Sequence, residues 1–399
     1  MRNFKTSQSF WQCGNAKLLG AVAWLALCHS AVGAPFEQAL QQQYRASGLP
    51  GLCVAAVDAQ GVRYSAGLGL ADVERGVSYD ADTVQPVGSV SKTLIGLAIA
   101  DLVTRGELDL QAPVMLPAKG DGSLGFKAQA LKHPMYPTEA ITWRQLATHT
   151  SGLLDEGRAY DMAYVKGREA EMSMAAYVLD YLFPAAPKAL EARFAQSAPG
   201  QAYAYSNLGA AAAAVGLEQQ TGISFDRFTQ QRLMRPMGML SSSWHFNPEL
   251  GPRNATLYAA DVRSLGRRLP PYTLITYADG GLHSSCNDLA RYTSALLSAY
   301  AGQSNILPNA GVRLMLSPQL DSKALPKDMP VTEPNQGLFW QIRSNGTVGH
   351  SGSDPGLTAF ISLDLIAGRG RVFLANGDIG ERPKAKAAFA EIWRDLALR

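Results

Sequence analysis

The sequence predicts an α/β (α+β) protein: one antiparallel sheet built from both ends of the chain, flanked by helices, with a mostly helical region inserted between its halves. Three observations predict it. Apolar, β-prone runs at Leu52–Val57 and Val62–Ala66 are joined by Asp58-Ala59-Gln60-Gly61, the composition of a hairpin. Further such runs, Leu338–Arg343, Thr347–His350, Leu357–Leu363 and Arg371–Ala375, are separated by turn residues near the other end. Between the two groups, residues 105–300 read mainly as helix with irregular connections. The expected organisation is interleaved. A sheet domain comes from residues 34–85 plus 305–399, a mainly helical domain from 86–304, and the active site lies where they meet.

Taken in order, residues 1–33 read as an export signal. Arg2, Lys5 and Lys17 make a basic start, and Leu18–Cys28 is apolar but too short to be a stable bilayer anchor. Small residues at Ala31, Gly33 and Ala34 place the cut after Ala31 or Gly33, so a periplasmic or secreted protein is expected. A retained anchor is the alternative. Phe36–Ala46 reads as a helix closed by Gly48-Leu49-Pro50-Gly51. The run from Ser89 to Thr104 reads as a helix whose apolar positions, among them Leu94, Ile95, Leu97, Ile99 and Leu102, are dense enough to bury nearly every side. Pro113–Pro137, rich in Gly, Lys and Pro, reads as a surface excursion. Ile141–Ala147, Met172–Phe183, Asn207–Gln220 and Asn287–Tyr300 read as helices, and the small residues Gly209–Ala214 suit tight packing in the third. Pro383–Leu398 is a closing amphipathic helix.

Composition excludes several function classes. An apolar fraction of 47% is ample for a large core. Without residues 1–33 the chain holds 33 basic and 33 acidic residues, so nucleic-acid binding has no electrostatic support. No later run spans a membrane, and no C-x-x-C, H-E-x-x-H or clustered histidine pattern occurs, so neither a metal nor another cofactor is expected. Oligomeric state is left open. Beyond the signal only Cys53 and Cys286 remain. They could pair in an oxidising compartment, but two separate buried thiols is the preferred reading.

Three motifs carry chemistry. In Ser89-Val90-Ser91-Lys92 a hydroxyl and an amine stand three residues apart at a helix start, on one face. Of the twelve lysines only Lys92 has a serine three places before it. A desolvated lysine can lose its proton near neutral pH and activate the serine. Tyr205-Ser206-Asn207 is the one Tyr-x-Asn of the chain. Its phenol could shuttle protons, and its amide could contact a substrate carbonyl and hold the lysine. The alternative is a simple helix cap. In Val348-Gly349-His350-Ser351-Gly352-Ser353-Asp354-Pro355-Gly356, small residues would let a substrate lie against a strand edge, with His350 and Ser351 hydrogen-bonding or charge-pairing with it. A plain hairpin loop is the alternative. His149, next to Thr150 and Ser151, is read as holding a loop beneath the site; no Gly-x-Ser-x-Gly elbow supports a hydrolase triad. His133, His245 and His283 read as structural, and Arg343 as a solvated strand residue.

Together, Ser89-x-x-Lys92, Tyr205-x-Asn207 and His350-x-Gly352 resemble the serine penicillin-recognising enzymes, in the branch of class C β-lactamases, secreted serine DD-peptidases and family VIII esterases. Leu146–Leu153, Asp279-Gly280-Gly281-Leu282 and Asp288-Leu289-Ala290-Arg291 support the resemblance, which runs from about residue 36 to the end. It implies that fold and an acyl-enzyme on Ser89. Lys92 and Tyr205 would share the base and acid roles, the assignment between them staying open. Asn207, His350, Ser351 and Gly352 would bind substrate, and the N–H groups of Ser89 and Ser353 would form the oxyanion hole. One departure matters. The β-lactamases of this branch usually carry Lys-Thr-Gly where this chain has His350-Ser351-Gly352, and histidine offers less fixed charge for a substrate carboxylate. Expected substrates are β-lactams or D-amino-acid cell-wall peptides, with small esters as the alternative. A penicillin or peptide sensor without turnover is the reading from another class.

Overall fold

Leu52–Val57 is apolar at every position because both faces of that strand are covered. A computed structural model, describing residues 35–118, 127–156, 160–167, 170–184, 190–259, 266–380 and 382–399, places it at the centre of the sheet. The expected signal at 1–33 and the middle of the 113–137 excursion fall outside the described residues. Helix α1 (35–47) leads into β1 (Gly51–Asp58), β2 (Gly61–Asp72) and the short β3 (Val77–Ser78). The late strands are β4 (Asn335–Gln336), β5 (Gln341–Ile342), β6 (Val348–Asp354), β7 (Leu357–Asp364) and β8 (Arg369–Ala375). They join into one eight-stranded antiparallel sheet of order β4-β5-β6-β7-β8-β1-β2-β3. The joint between the two ends of the chain is the β1–β8 pair, in register from Leu52 opposite Ala375 to Asp58 opposite Arg369.

Strand alternation sorts the core into two layers. Leu52, Val54, Ala56, Phe373 and Ala375 point to one side, where α1 and the final helix α8 (Pro383–Leu396) cover them with Leu40, Ile392 and Leu396. Cys53, Ala55, Val57, Val372 and Leu374 point to the other, into the larger cluster shared with the remaining helices. Those helices include α2 (Lys92–Thr104), α3 (Trp143–Ala147), α4 (Met174–Leu182), α5 (Asn207–Thr221), α6 (Cys286–Tyr300) and α7 (Asn309–Leu316). Every residue of α2 from Lys92 to Leu102 is buried, matching its unbroken apolar run. Ala210–Ala214 are fully buried in α5.

Four details differ from the sequence reading. Ser89 lies in a 3-10 turn, Gly88–Ser91, and the α-helix proper begins at Lys92. The expected strand 338–343 shrinks to Gln341–Ile342, because Phe339 takes a left-handed backbone (φ 56°) that brings its N–H to the Ala147 carbonyl. Helix α6 packs across β1, β2 and β8, so the sheet layer starts recruiting helices before residue 305. The middle of the chain also carries two-stranded ladders, among them Tyr164–Lys166 with Tyr272–Leu274 and Val84–Pro86 with His283–Ser285. The second of these fixes the approach to the Ser89 turn. Cys53 and Cys286 are both buried free thiols, yet they sit against each other, and burial first and the Cys286 thiol second push the Cys53 thiol well up.

Candidate active site

The site forms where the Ser89 turn, the start of α5 and strand β6 converge. Gly88 and Gly352 make that convergence possible. Gly88 has φ +53°, and a Cβ there would lie 3.2 Å from the Ser353 nitrogen. A Cβ on Gly352 would lie 2.0 Å from the Val87 carbonyl oxygen, a distance no side chain survives, and 3.2 Å from the Ser89 nitrogen. The two backbone nitrogens expected to form the oxyanion hole, on Ser89 and Ser353, therefore border one narrow gap. Strand β5 pairs with β6 only at Val348 and Gly349, which leaves the edge from His350 to Asp354 free of a neighbouring strand on this side.

Lys92 is completely buried, and its three ammonium protons have three acceptors. Nζ donates to Ser89 Oγ at 3.1 Å, Asn207 Oδ1 at 2.6 Å and the Asp279 carbonyl at 2.6 Å. It also lies 5.1 Å from the centre of the Tyr205 ring. Burial works against the charge, while Tyr205, Asp279 and Asp155 favour it, and the balance sits above the ordinary lysine value. This corrects the expectation of a lysine that gives up its proton near neutrality: at rest Lys92 is a cation. The neighbouring groups, not burial, decide the sign.

His149 lies under Tyr205, the ring centres 4.4 Å apart, and its Nδ1 accepts the Ser206 N–H. Burial first, then the charge of Lys92, keep it neutral by lowering its pKa well below the usual histidine value. It ties the 149–153 loop to the Tyr205 segment. His350 stands 6.3 Å from the Tyr205 ring, its Nδ1–H donating to the Ser351 carbonyl at 2.7 Å. Burial, Lys92 and Arg343 push its pKa down to about 3, so it brings no positive charge to the strand. The charge-pairing expected of His350 is thereby corrected to a neutral acceptor at Nε2. Ser351 pairs across from Phe360, whose ring packs on α8, so alternation turns its side chain to the opposite face from His350 and Gly352. Arg343 is half-buried rather than solvated, with its guanidinium against Gly349. Desolvation lowers its pKa, and Glu333 opposes that. His133 and His283 bond backbone carbonyls of Ala195 and Gly281, and His245 faces Asp226 at 3.7 Å.

Three acids escaped the sequence reading. The Asp155 carboxylate accepts from Ser206 Oγ (3.0 Å) and from the backbone N–H groups of Asn207 (2.8 Å) and Leu208 (2.9 Å). It neutralises the N-terminus of α5 and so aims Asn207 at Lys92. Asp279, besides its carbonyl, accepts the Tyr160 hydroxyl at 3.1 Å, and burial against the opposing Lys92 charge raises its pKa to about 7. Asp354 accepts the Tyr164 hydroxyl, and burial raises its pKa to about 6. The only sequence signal was position: Asp155 follows the Leu146–Leu153 stretch, and Asp279 and Asp354 lie inside stretches already singled out.

Among the described residues no group of three His, Cys, Asp or Glu side chains is placed to hold a metal, and no helix is long and apolar enough to cross a membrane.

Comparison with known proteins places this geometry. The chain is 25% identical over 263 residues to the D-alanyl-D-alanine-carboxypeptidase/endopeptidase AmpH of Escherichia coli K12, covering 65% of this chain and 60% of that protein. It therefore spans less than two thirds of that relative. It is 38% identical over 127 residues to the esterase EstB of Burkholderia gladioli, 30% of this chain and 28% of EstB. Its fold matches the octameric penicillin-binding protein homologue of Pyrococcus abyssi with a TM-score of 0.69 at 24% identity, over 90% of this chain and 76% of that one. The family model described as Beta-lactamase matches residues 36–392, from the first helix through the Ser89 turn and strand β6 into the last helix, and the chain belongs to that family.

Proposed function

We propose that the protein is an exported serine hydrolase that works through an acyl-enzyme on Ser89. The observation that carries this is the Lys92 ammonium held between Ser89 Oγ and Asn207 Oδ1 beside the Tyr205 ring. Ser89 attacks a carbonyl whose oxygen enters the gap bordered by the Ser89 and Ser353 N–H groups. With Lys92 already an ammonium, we assign the proton relay to Tyr205: its hydroxyl oxygen receives the serine proton as its own proton passes to the leaving group, with the Lys92 ammonium alongside. Asn207 has its oxygen on Lys92 and its amide N–H groups left for substrate. The free β6 edge from His350 to Asp354 is suited to an extended substrate, with Gly352 allowing close approach. D-Amino-acid peptides of cell-wall type and β-lactams fit this edge, and likeness to AmpH supports the first. Removal of residues 1–33 would put the enzyme in the periplasm or outside the cell.

A second reading, a carboxylesterase, is favoured by one observation: His350 is neutral, so its motif lacks the fixed cation that would hold a substrate carboxylate. Likeness to EstB over part of the chain supports it. The test is intact mass spectrometry of the mature protein with a penicillin, nitrocefin and p-nitrophenyl acetate, alongside absorbance turnover. An adduct that disappears in Ser89→Ala, with the fold unchanged by circular dichroism, is expected. Turnover retained by Ser89→Ala ends the acyl-enzyme reading. A long-lived penicillin adduct points to a peptidase, and ester turnover without a penicillin adduct to the esterase.

A further inference from the structure

Away from the catalytic groups, a cavity of about 240 Å³ lies beside the ladder that leads into the Ser89 turn. Val84, Pro86 and His283 of that ladder line it, together with residues drawn from 246–257 and 268–272. Ser89, Lys92, Tyr205, Asn207 and strand β6 do not. We propose that this cavity is a non-catalytic site for a single free amino acid with an apolar side chain, bound as its zwitterion. The site itself does not depend on the acyl-enzyme reading above.

Charges of both signs line the cavity. Asp72 is buried, its carboxylate accepting the Arg75 N–H on one oxygen at 2.9 Å and the Thr256 hydroxyl on the other at 2.9 Å. Each oxygen keeps a lone pair for an incoming ammonium. Burial opposes the charge of Asp72, but those two donors and the guanidinium groups of Arg268 and Arg75 outweigh it. Its pKa therefore lies below the ordinary carboxylate value, and it is an anion at neutral pH. Arg75 and Arg268 line the same cavity from exposed positions, and among the described residues neither guanidinium has an ion-pair or hydrogen-bond partner. His283 adds no charge, since burial lowers its pKa to about 4. A simple carboxylate would be drawn to the arginines and repelled by Asp72, and a simple amine would meet the reverse. A ligand carrying both signs gains from both.

Size and lining set the rest of the ligand. The volume falls below the range of drug-sized ligand sites, about 300–1,000 Å³, so a peptide is too large and a single amino acid suits it. Phe246, Pro248, Leu257 and Leu269 offer an apolar wall for the side chain. Hydrolysis of a D-amino-acid peptide, the first reading above, releases such a molecule, which makes the D enantiomer the expected occupant.

The test is isothermal titration calorimetry of the mature protein with D-leucine, L-leucine, 4-methylpentanoate and 3-methylbutylamine, the last two each lacking one of leucine's charges. D-Leucine is expected to bind, and each singly charged analogue to bind at least about tenfold more weakly, the scale of one lost hydrogen bond to a charged group. Arg268→Gln should weaken D-leucine by about tenfold with the melting temperature unchanged. No binding of either enantiomer, 4-methylpentanoate bound as tightly as leucine, or an affinity unchanged by Arg268→Gln overturns the site. The ligand series decides the matter in the wild-type protein even where Arg268→Gln does not fold. L-Leucine bound more tightly than D-leucine keeps the site and removes its link to peptide cleavage, whatever adduct Ser89 forms.

Discussion

At the scale of single residues, the chemistry turns on a lysine that keeps its proton. A buried ammonium with three acceptors is satisfied, and stripping it of one acceptor leaves a buried donor unpaired at a cost of about 1–3 kcal/mol. If Lys92 begins charged, Tyr205 must open the reaction. Tyr205→Phe should then lower the acylation rate by about 10²–10⁴-fold with little change in melting temperature, read by stopped-flow acylation. A loss under about tenfold would return the base role to Lys92. Asp155 acts one step back. Its carboxylate answers three donors at the start of α5, so Asp155→Ala should cost about 2 kcal/mol in denaturant titration and weaken turnover through a misaimed Asn207. Unchanged stability would mean that Ser206, which also caps Gly209 N–H, suffices alone. Ser89, Lys92, Tyr205 and Asn207 were legible because their side-chain types are rare at those spacings. Asp155 and Asp279 were not: their partners lie 52 and 187 residues away, and no local pattern records such a bond.

At the scale of elements, the site is a contact between a turn and a strand edge with no room for a side chain. Gly352→Ala would drive a methyl into the Val87 carbonyl, so the turn and β6 must part and the oxyanion gap must widen. Activity should fall by about 10²-fold or more, the worth of an oxyanion donor, while the sheet, whose core lies elsewhere, keeps most of its stability. Activity within a few-fold of wild type would mean that the gap is not where the carbonyl oxygen binds. Strands and helices with clear periodicity were readable: β1, β7, β8, α2 and α5 fall close to their expected limits, while β2 and β6 start where expected but run on to Asp72 and Asp354, past the expected ends at Ala66 and His350. The 338–343 strand was not, because Phe339 breaks it to bond Ala147, a tertiary demand absent from propensity. Likewise nothing in Gly88-Ser89-Val90-Ser91 marks a 3-10 turn as distinct from the first turn of the helix that follows.

At the scale of the whole molecule, buried titratable groups pull stability in opposite directions with pH. Asp279 and Glu218 are raised to about 7 and Asp354 to about 6, against unfolded values of 3.8 for Asp and 4.5 for Glu. The folded state binds more protons there, so these groups stabilise at low pH and that stability is lost as pH rises through 6–7. His350 and His283 are lowered to about 3 and about 4 from 6.5, so their contribution is present above 6.5 and lost as pH falls toward 3. The two sets oppose each other between about pH 4 and 6.5, and denaturant midpoints should be nearly level there and drop below pH 4. Asp279→Asn should tilt the plateau, making stability fall more steeply toward acid; an unchanged profile would show that Asp279 ionises normally. That strands from both ends share one sheet was visible in composition, but the helix at 286–300 packs on that sheet, which no composition boundary marks. The β1–β8 pair has a last consequence. It joins residues 51–58 to 369–375, and β6, which borders the Ser89 turn, is itself formed from residues 348–354. Pairings this distant in sequence form slowly. A ribosome that has made the Ser89 turn has not yet made the strand that borders it, so the nascent chain is expected to be catalytically silent until residues 348–354 have been synthesised, and a chain clipped before β6 to stay silent.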